Sequence, residues 1–215
     1  MQAIVEMEEF LERLSKGKPA FPRRTRSSGS SIGIPKRFMG TPPQQVVDAF
    51  FELLPTAKEW GEGSEGWPGY LIYGSLGVGK TGVSAMLATY LAQAFTLYTQ
   101  FVLVWDLVSE IKSTWGQETE EDERAAIKKF LEPDLLVVDE VGVQFATLAE
   151  RNILYRVVVG RHNDLKPTII TTNSDLDSGT GRTEFYEAVG VRVASRFEGF
   201  LINAGKWGGN LRSPK

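Results

Sequence analysis

Apolar residues recur along this chain with two alternating periods, and that alternation predicts a fold class before any motif is considered. Near the start, Ile4, Met7, Leu11 and Leu14 recur at helical spacing, with Glu6, Glu9, Glu12 and Arg13 on the rest of the wheel. This predicts a short amphipathic helix over 3–14. Residues 16–36 lose the pattern and are rich in proline, serine, glycine and positive charge, as flexible linkers are. A helix is expected over 43–54, and a glycine-rich stretch at 61–69 leads into a strand at 70–73. Strand, loop and helix then alternate. Helices are predicted at 81–95, 107–115, 120–130, 148–161 and 183–197, and strands at 100–105, 135–138, 168–171 and 200–203. The run Leu135-Leu136-Val137-Val138 is apolar throughout, as suits a central parallel strand buried on both faces. The alternation implies an α/β protein of three layers, a parallel sheet flanked by helices.

Composition narrows the chemistry. The chain has 215 residues, 42% hydrophobic and 24% charged, enough for one domain over 37–215 with a short appendage at 1–15 and a linker at 16–36. No apolar run approaches the roughly 20 residues that span a bilayer, and the acidic, amphipathic start is unlike a secretory signal. A cytoplasmic protein without a membrane partner is the expectation. There are no cysteines, which excludes disulfides and thiolate metal sites, and His162 is the only histidine. Acid–base chemistry must therefore come from carboxylates, lysine, a metal ion or water; His162 itself is expected at the surface. The net charge of −3 conceals a basic arm: residues 15–47 hold seven lysines and arginines and no acidic residue. The remainder is acidic, so any contact with nucleic acid must be local.

Four motifs carry chemistry. Gly74-Ser75-Leu76-Gly77-Val78-Gly79-Lys80-Thr81 follows a predicted strand and opens a predicted helix. It has the G-x-x-x-x-G-K-[ST] spacing that turns backbone N–H groups inward around phosphates. Lys80 then faces the β- and γ-phosphates, and the Thr81 hydroxyl holds Mg²⁺. The run Leu135–Val138 ends in Asp139 and Glu140, which puts two carboxylates at the carboxyl edge of the sheet. Asp139 suits the metal and Glu140 the attacking water. A third strand ends in Asn173, which either holds that water or caps a turn. Fourth, Arg192 and Arg196 lie four apart, hence on one helical face. They either pair with Glu184, Glu187 or Glu198, or reach the phosphate of a neighbouring subunit as an arginine finger.

Taken together, GIPKRF (33–38), GSLGVGKT (74–81), LLVVDEVGVQ (135–144), PTIITTNSDL (167–176) and GVRVASRF (190–197) resemble the DnaC-like helicase loaders. These are a branch of the AAA+ ATPases near the DnaA initiators and IstB transposition helpers. The resemblance covers about 33–212. It implies an ATPase, slow without partner or DNA, that binds ATP/ADP and Mg²⁺ at the interfaces of a homo-oligomer. It further implies Lys80 and Thr81 as Walker A, Asp139 and Glu140 as Walker B, Asn173 as sensor 1, Arg196 as the finger with Arg192 a turn before it, and Arg212 as second sensor. The implied partners are a replicative hexameric helicase, gripped by the N-terminal segment, and single-stranded DNA, met by Trp115 and Thr147. The alternative for Trp115 is a core or rim tryptophan. Only about 40 residues follow Asn173, so a helical lid domain is not expected, and an arm without cysteines excludes a zinc-bearing helicase-binding domain. An IstB-like helper of a DNA transposase and a nucleotide-sensing interaction module stand as alternatives.

Overall fold

The computed structural model describes Glu12 and residues 33–38, 40–62, 69–116, 120–142 and 147–212. Apart from Glu12, the helix expected over 3–14 and the linker up to residue 32 lie outside the described residues. Five strands form one sheet: β1 (Gly69–Tyr73), β2 (Thr99–Leu103), β3 (Leu135–Asp139), β4 (Thr168–Thr172) and β5 (Leu201–Asn203). Their order is β2-β3-β4-β1-β5, and every pairing is parallel. The helices are α1 (Gln44–Gly61), α2 (Lys80–Ala94), α3 (Val104–Lys112), α4 (Glu120–Leu131), α5 (Leu148–Asn163), α6 (Gly179–Val189) and α7 (Val191–Ala194).

The three layers follow from the two-residue period of the strands. Tyr70, Ile72, Leu135, Val137 and Ile169 bury on one face against Phe50 of α1 and Leu87 of α2. Leu71, Leu136, Val138 and Ile170 bury on the other against Leu107, Phe130, Leu154 and Phe185 of α3 to α6. Strands flanked on both sides have no polar face, so β1, β3 and β4 are buried at every position. At the amino edge, fully buried Arg161 donates to the carbonyls of Phe130, Pro133 and Pro167 and to the Thr168 hydroxyl, tying the end of α4 to the loops that lead into β3 and β4. Burial lowers its pKa to about 9. The neighbouring His162 is half-buried, and burial lowers its pKa.

Three boundaries differ from expectation. The predicted strand 100–105 stops at Leu103, because Val104, Leu107, Val108 and Ile111 bury at helical spacing and Asp106 favours the first turn of α3. The predicted helix 43–54 runs on to Gly61 through Pro55, since burying Leu53, Ala57 and Trp60 outweighs the roughly 3 kcal/mol proline cost. The predicted helix 183–197 begins at Gly179 on a Ser178 cap and breaks at Gly190 (φ +89). Arg192 therefore sits on α7 while Arg196 sits in a 3-10 turn at Ser195–Phe197, so they do not share one α-helix. Among the described residues, the 3-10 turn Ala204–Trp207 follows β5. No described helix is long and apolar enough to cross a membrane.

Candidate functional site

The strand order brings distant motifs to one edge. β4 lies between β1 and β3, so the turn after Tyr73, the carboxylates after Val138 and the residues after Thr172 leave adjacent strands in the same direction. The open pocket there is lined by Gly77, Gly79, Lys80, Thr81, Glu140, Thr171, Asn173 and Arg212.

Gly79, left-handed at φ +104, delivers the chain into α2 without a side-chain cap. Its first amides therefore remain available to an anion, in the direction the helix dipole favours. The Lys80 ammonium bonds the carbonyl oxygens of Gly74 (2.6 Å) and Ser75 (2.8 Å). Burial lowers its pKa to about 8, against the pull of Asp139.

Asp139 is fully buried. Its Oδ1 accepts from the hydroxyls of Thr81 (3.1 Å) and Thr171. Burial raises its pKa, and these two hydroxyls oppose the rise. Its Oδ2 is buried and has no hydrogen-bond partner. A spare carboxylate oxygen beside a threonine hydroxyl is the donor set Mg²⁺ takes when phosphate oxygens and water complete its shell. The residues fit the ion.

Glu140 is exposed at the pocket rim, with φ +62. A residue with a Cβ meets a penalty of about 1–2 kcal/mol there, and its N–H is held by the Thr171 hydroxyl at 3.0 Å. Thr171 thus touches both carboxylate residues, a role the sequence reading missed. Also missed was the apolar wall of the pocket, formed by Phe38, Val46, Met86 and Leu211. The GIPKRF match was its only trace in the sequence.

Arg212, expected as the second sensor, lines the pocket, and its charge bears on Lys80. Arg192 and Arg196 do not line it. Neither forms an ion pair with Glu184, Glu187 or Glu198 among the described residues, and Arg196 Nε is buried without a hydrogen-bond partner. The intramolecular pairing considered for them is not formed.

Trp115 and Thr147 do not line this pocket. Trp115 is 43% exposed, with the Lys112 ammonium 5.8 Å from its ring centre, and it borders a shallow groove with Ala149 and Asn152 of α5. Thr147 caps α5: its hydroxyl accepts from the Glu150 amide (3.3 Å), while Glu150 accepts from the Thr147 amide (3.2 Å). Glu150 also bonds Lys112 at 3.0 Å, joining the end of α3 to the start of α5.

Known proteins are similar to this chain. The sequence pattern of the family described as IstB-like ATP binding protein matches residues 69–185. The replicative helicase loader DnaC of Escherichia coli strain K12 is 28% identical over 127 residues, 59% of this chain and 49% of that protein. The replicative helicase loader DnaI of Bacillus subtilis strain 168 is 26% identical over 177 residues, 79% of this chain and 55% of that protein. The chain thus spans about half the length of the loaders it matches. Among solved structures, a crystal structure of the DnaC helicase loader superposes with a TM-score of 0.62 at 22% identity, over 79% of this chain and 99% of that one. AMPPCP-bound DnaA from Aquifex aeolicus superposes with a TM-score of 0.62 at 16% identity, over 79% and 50%. The fold is that of an α/β P-loop NTPase of the AAA+ type.

Proposed function

We propose that this chain, which belongs to the family of IstB-like ATP binding proteins, is an ATP-driven loader of a replicative DNA helicase. The observation that carries the reading is the convergence of Lys80, Thr81, Asp139 and Glu140 at one sheet edge, in a chain similar to two helicase loaders.

In this reading the amides of the 74–81 turn and of α2 hold the triphosphate. Lys80 exchanges the carbonyls of Gly74 and Ser75 for phosphate oxygens, a swap of neutral acceptors for charged ones. Thr81 Oγ1 and, through water, the Asp139 carboxylate would hold Mg²⁺, which would supply positive charge against the phosphate oxygens. Glu140 takes the proton of the attacking water and Asn173 orients that water. Arg212 contacts the phosphates from the far wall. Arg196, with Arg192 beside it, lies off the chain's own pocket and serves the site of a second copy, so turnover is slow until subunits assemble. Trp115 offers a ring for a base of single-stranded DNA to stack on, worth about 1–3 kcal/mol. Thr147 shapes that surface as a helix cap. Residues 1–15 grip the helicase, 16–36 tether them, and 37–215 form the ATPase.

The test is co-precipitation with the host replicative helicase, using the full chain and a chain lacking residues 1–30, with and without ATP. Capture by the full chain and loss on truncation is expected. Absence of capture by either chain, with duplex DNA bound in preference to single strands, would move the assignment to a transposase helper.

A further inference from the structure

We infer that Gln45 is a positioning residue that seats Arg212 at the phosphate end of the pocket, by clamping residues 208–212 onto the P-loop. This rests on the reading of the pocket as a nucleotide site and of Arg212 as a phosphate contact. Gln45 is the second residue of α1, half-buried, and it does not line the pocket. Its Nε2 nevertheless serves two segments at once, donating to Val78 O of the P-loop at 3.0 Å and to Gly209 O at 3.2 Å. A primary amide carries two protons on one nitrogen, and both have an acceptor here.

The rest of the segment is built to the same seat. The Leu211 amide donates to Gly77 O at 2.9 Å. Asn210 Oδ1 accepts from the Arg212 amide at 2.8 Å, which fixes the backbone that carries the guanidinium. Asn210 also presses so close to Gly77 that a Cβ there would stand 1.9 Å from Oδ1. Gly77 itself sits at φ +85, a conformation that favours glycine. Gly208, at φ +136, passes Gln45 so closely that a Cβ would lie 2.7 Å from Oε1. The carbonyls of Gly77 and Val78 are occupied from outside the loop, while Arg212 faces the pocket and its charge reaches Lys80. Glutamine is suited to this position: glutamate would set a carboxylate against two carbonyl oxygens, and methionine keeps length and helix propensity without the donors.

The experiment is a double-mutant cycle on the full chain, read by equilibrium binding of a fluorescent ATP analogue with Mg²⁺. Gln45→Met should weaken binding about three- to tenfold, as expected for one or two hydrogen bonds. Arg212→Ala should weaken it at least as much, and the double variant should match Arg212→Ala alone. A brace that merely supports the P-loop would instead add its effect in the Arg212→Ala background, and that result overturns the inference. So does an unchanged affinity in Gln45→Met. If Arg212→Ala binds as the parent does, the inference falls while the P-loop reading stands; if the parent chain binds no nucleotide, the reading itself falls. Asn210→Ala, at an exposed position, enters the same cycle with the same expectation and decides the matter if Gln45→Met does not fold.

Discussion

Replacing Thr171 by valine removes one oxygen atom and keeps the shape of a buried side chain. That oxygen bonds Asp139 Oδ1 and receives the N–H of Glu140. The first bond has a charged partner, worth about 1.5–3 kcal/mol, and the second is worth about 0.5–1.5 kcal/mol. Together they put the loss in unfolding free energy at about 2–4 kcal/mol. For catalysis the second bond matters more. Glu140 sits at φ +62, where a non-glycine residue costs about 1–2 kcal/mol and stays only while its surroundings hold it. Releasing that hold lets Glu140 leave the geometry by the same margin, about 5- to 30-fold in kcat. The assay is single-turnover hydrolysis at saturating ATP and Mg²⁺, with helicase and single-stranded DNA present, alongside nucleotide binding. Thr171→Val should lose rate with little change in ATP affinity, and Thr171→Ser, which keeps the hydroxyl, should recover most of it. Equal rates in the valine and serine variants would refute the reasoning.

Three further outcomes follow from the same geometry. Glu140→Gln should bind ATP as the parent does, hydrolyse it at least about a hundredfold more slowly, and prolong the assembled state seen by light scattering. Arg196→Ala and Lys80→Ala should each lose about tenfold or more in turnover, while an equimolar mixture should exceed either alone, because one copy supplies the pocket and the other the guanidinium. Glu150 is held below the usual carboxylate range, chiefly by Lys112, so its contribution is present above that range and lost as pH falls through the lowered value. Denaturant unfolding of the parent should exceed that of Glu150→Gln by about 0.5–1 kcal/mol at pH 7, and the two curves should converge at acid pH.

What the sequence could disclose was chemistry confined to one stretch of chain. The turn 74–81 and the run ending in Asp139-Glu140 each hold their signal within eight residues, and both fall at one sheet edge. Sheet order is a relation between segments, so Thr171, a mid-strand threonine to the eye, shows its link to Asp139 only once β3 and β4 lie side by side. Gln45 and Asn210 are separated by most of the domain and carry no motif. The end of β2 was misread because Val104 and Trp105 continue an apolar run, and only the burial of Leu107, Val108 and Ile111 reveals the change of period. Arg212 was legible as a candidate but not as a neighbour of Lys80, since residues 208–212 have no periodicity to place them.

The central claim is that triphosphate and metal share the cleft between the glycine turn and the buried aspartate. Crystals grown with a non-hydrolysable ATP analogue and Mg²⁺ test it most directly. The account predicts phosphate density against Lys80, and a metal beside it that Thr81 and, directly or through water, Asp139 would hold. A nucleotide bound elsewhere, or a metal remote from both Thr81 and Asp139, would contradict it.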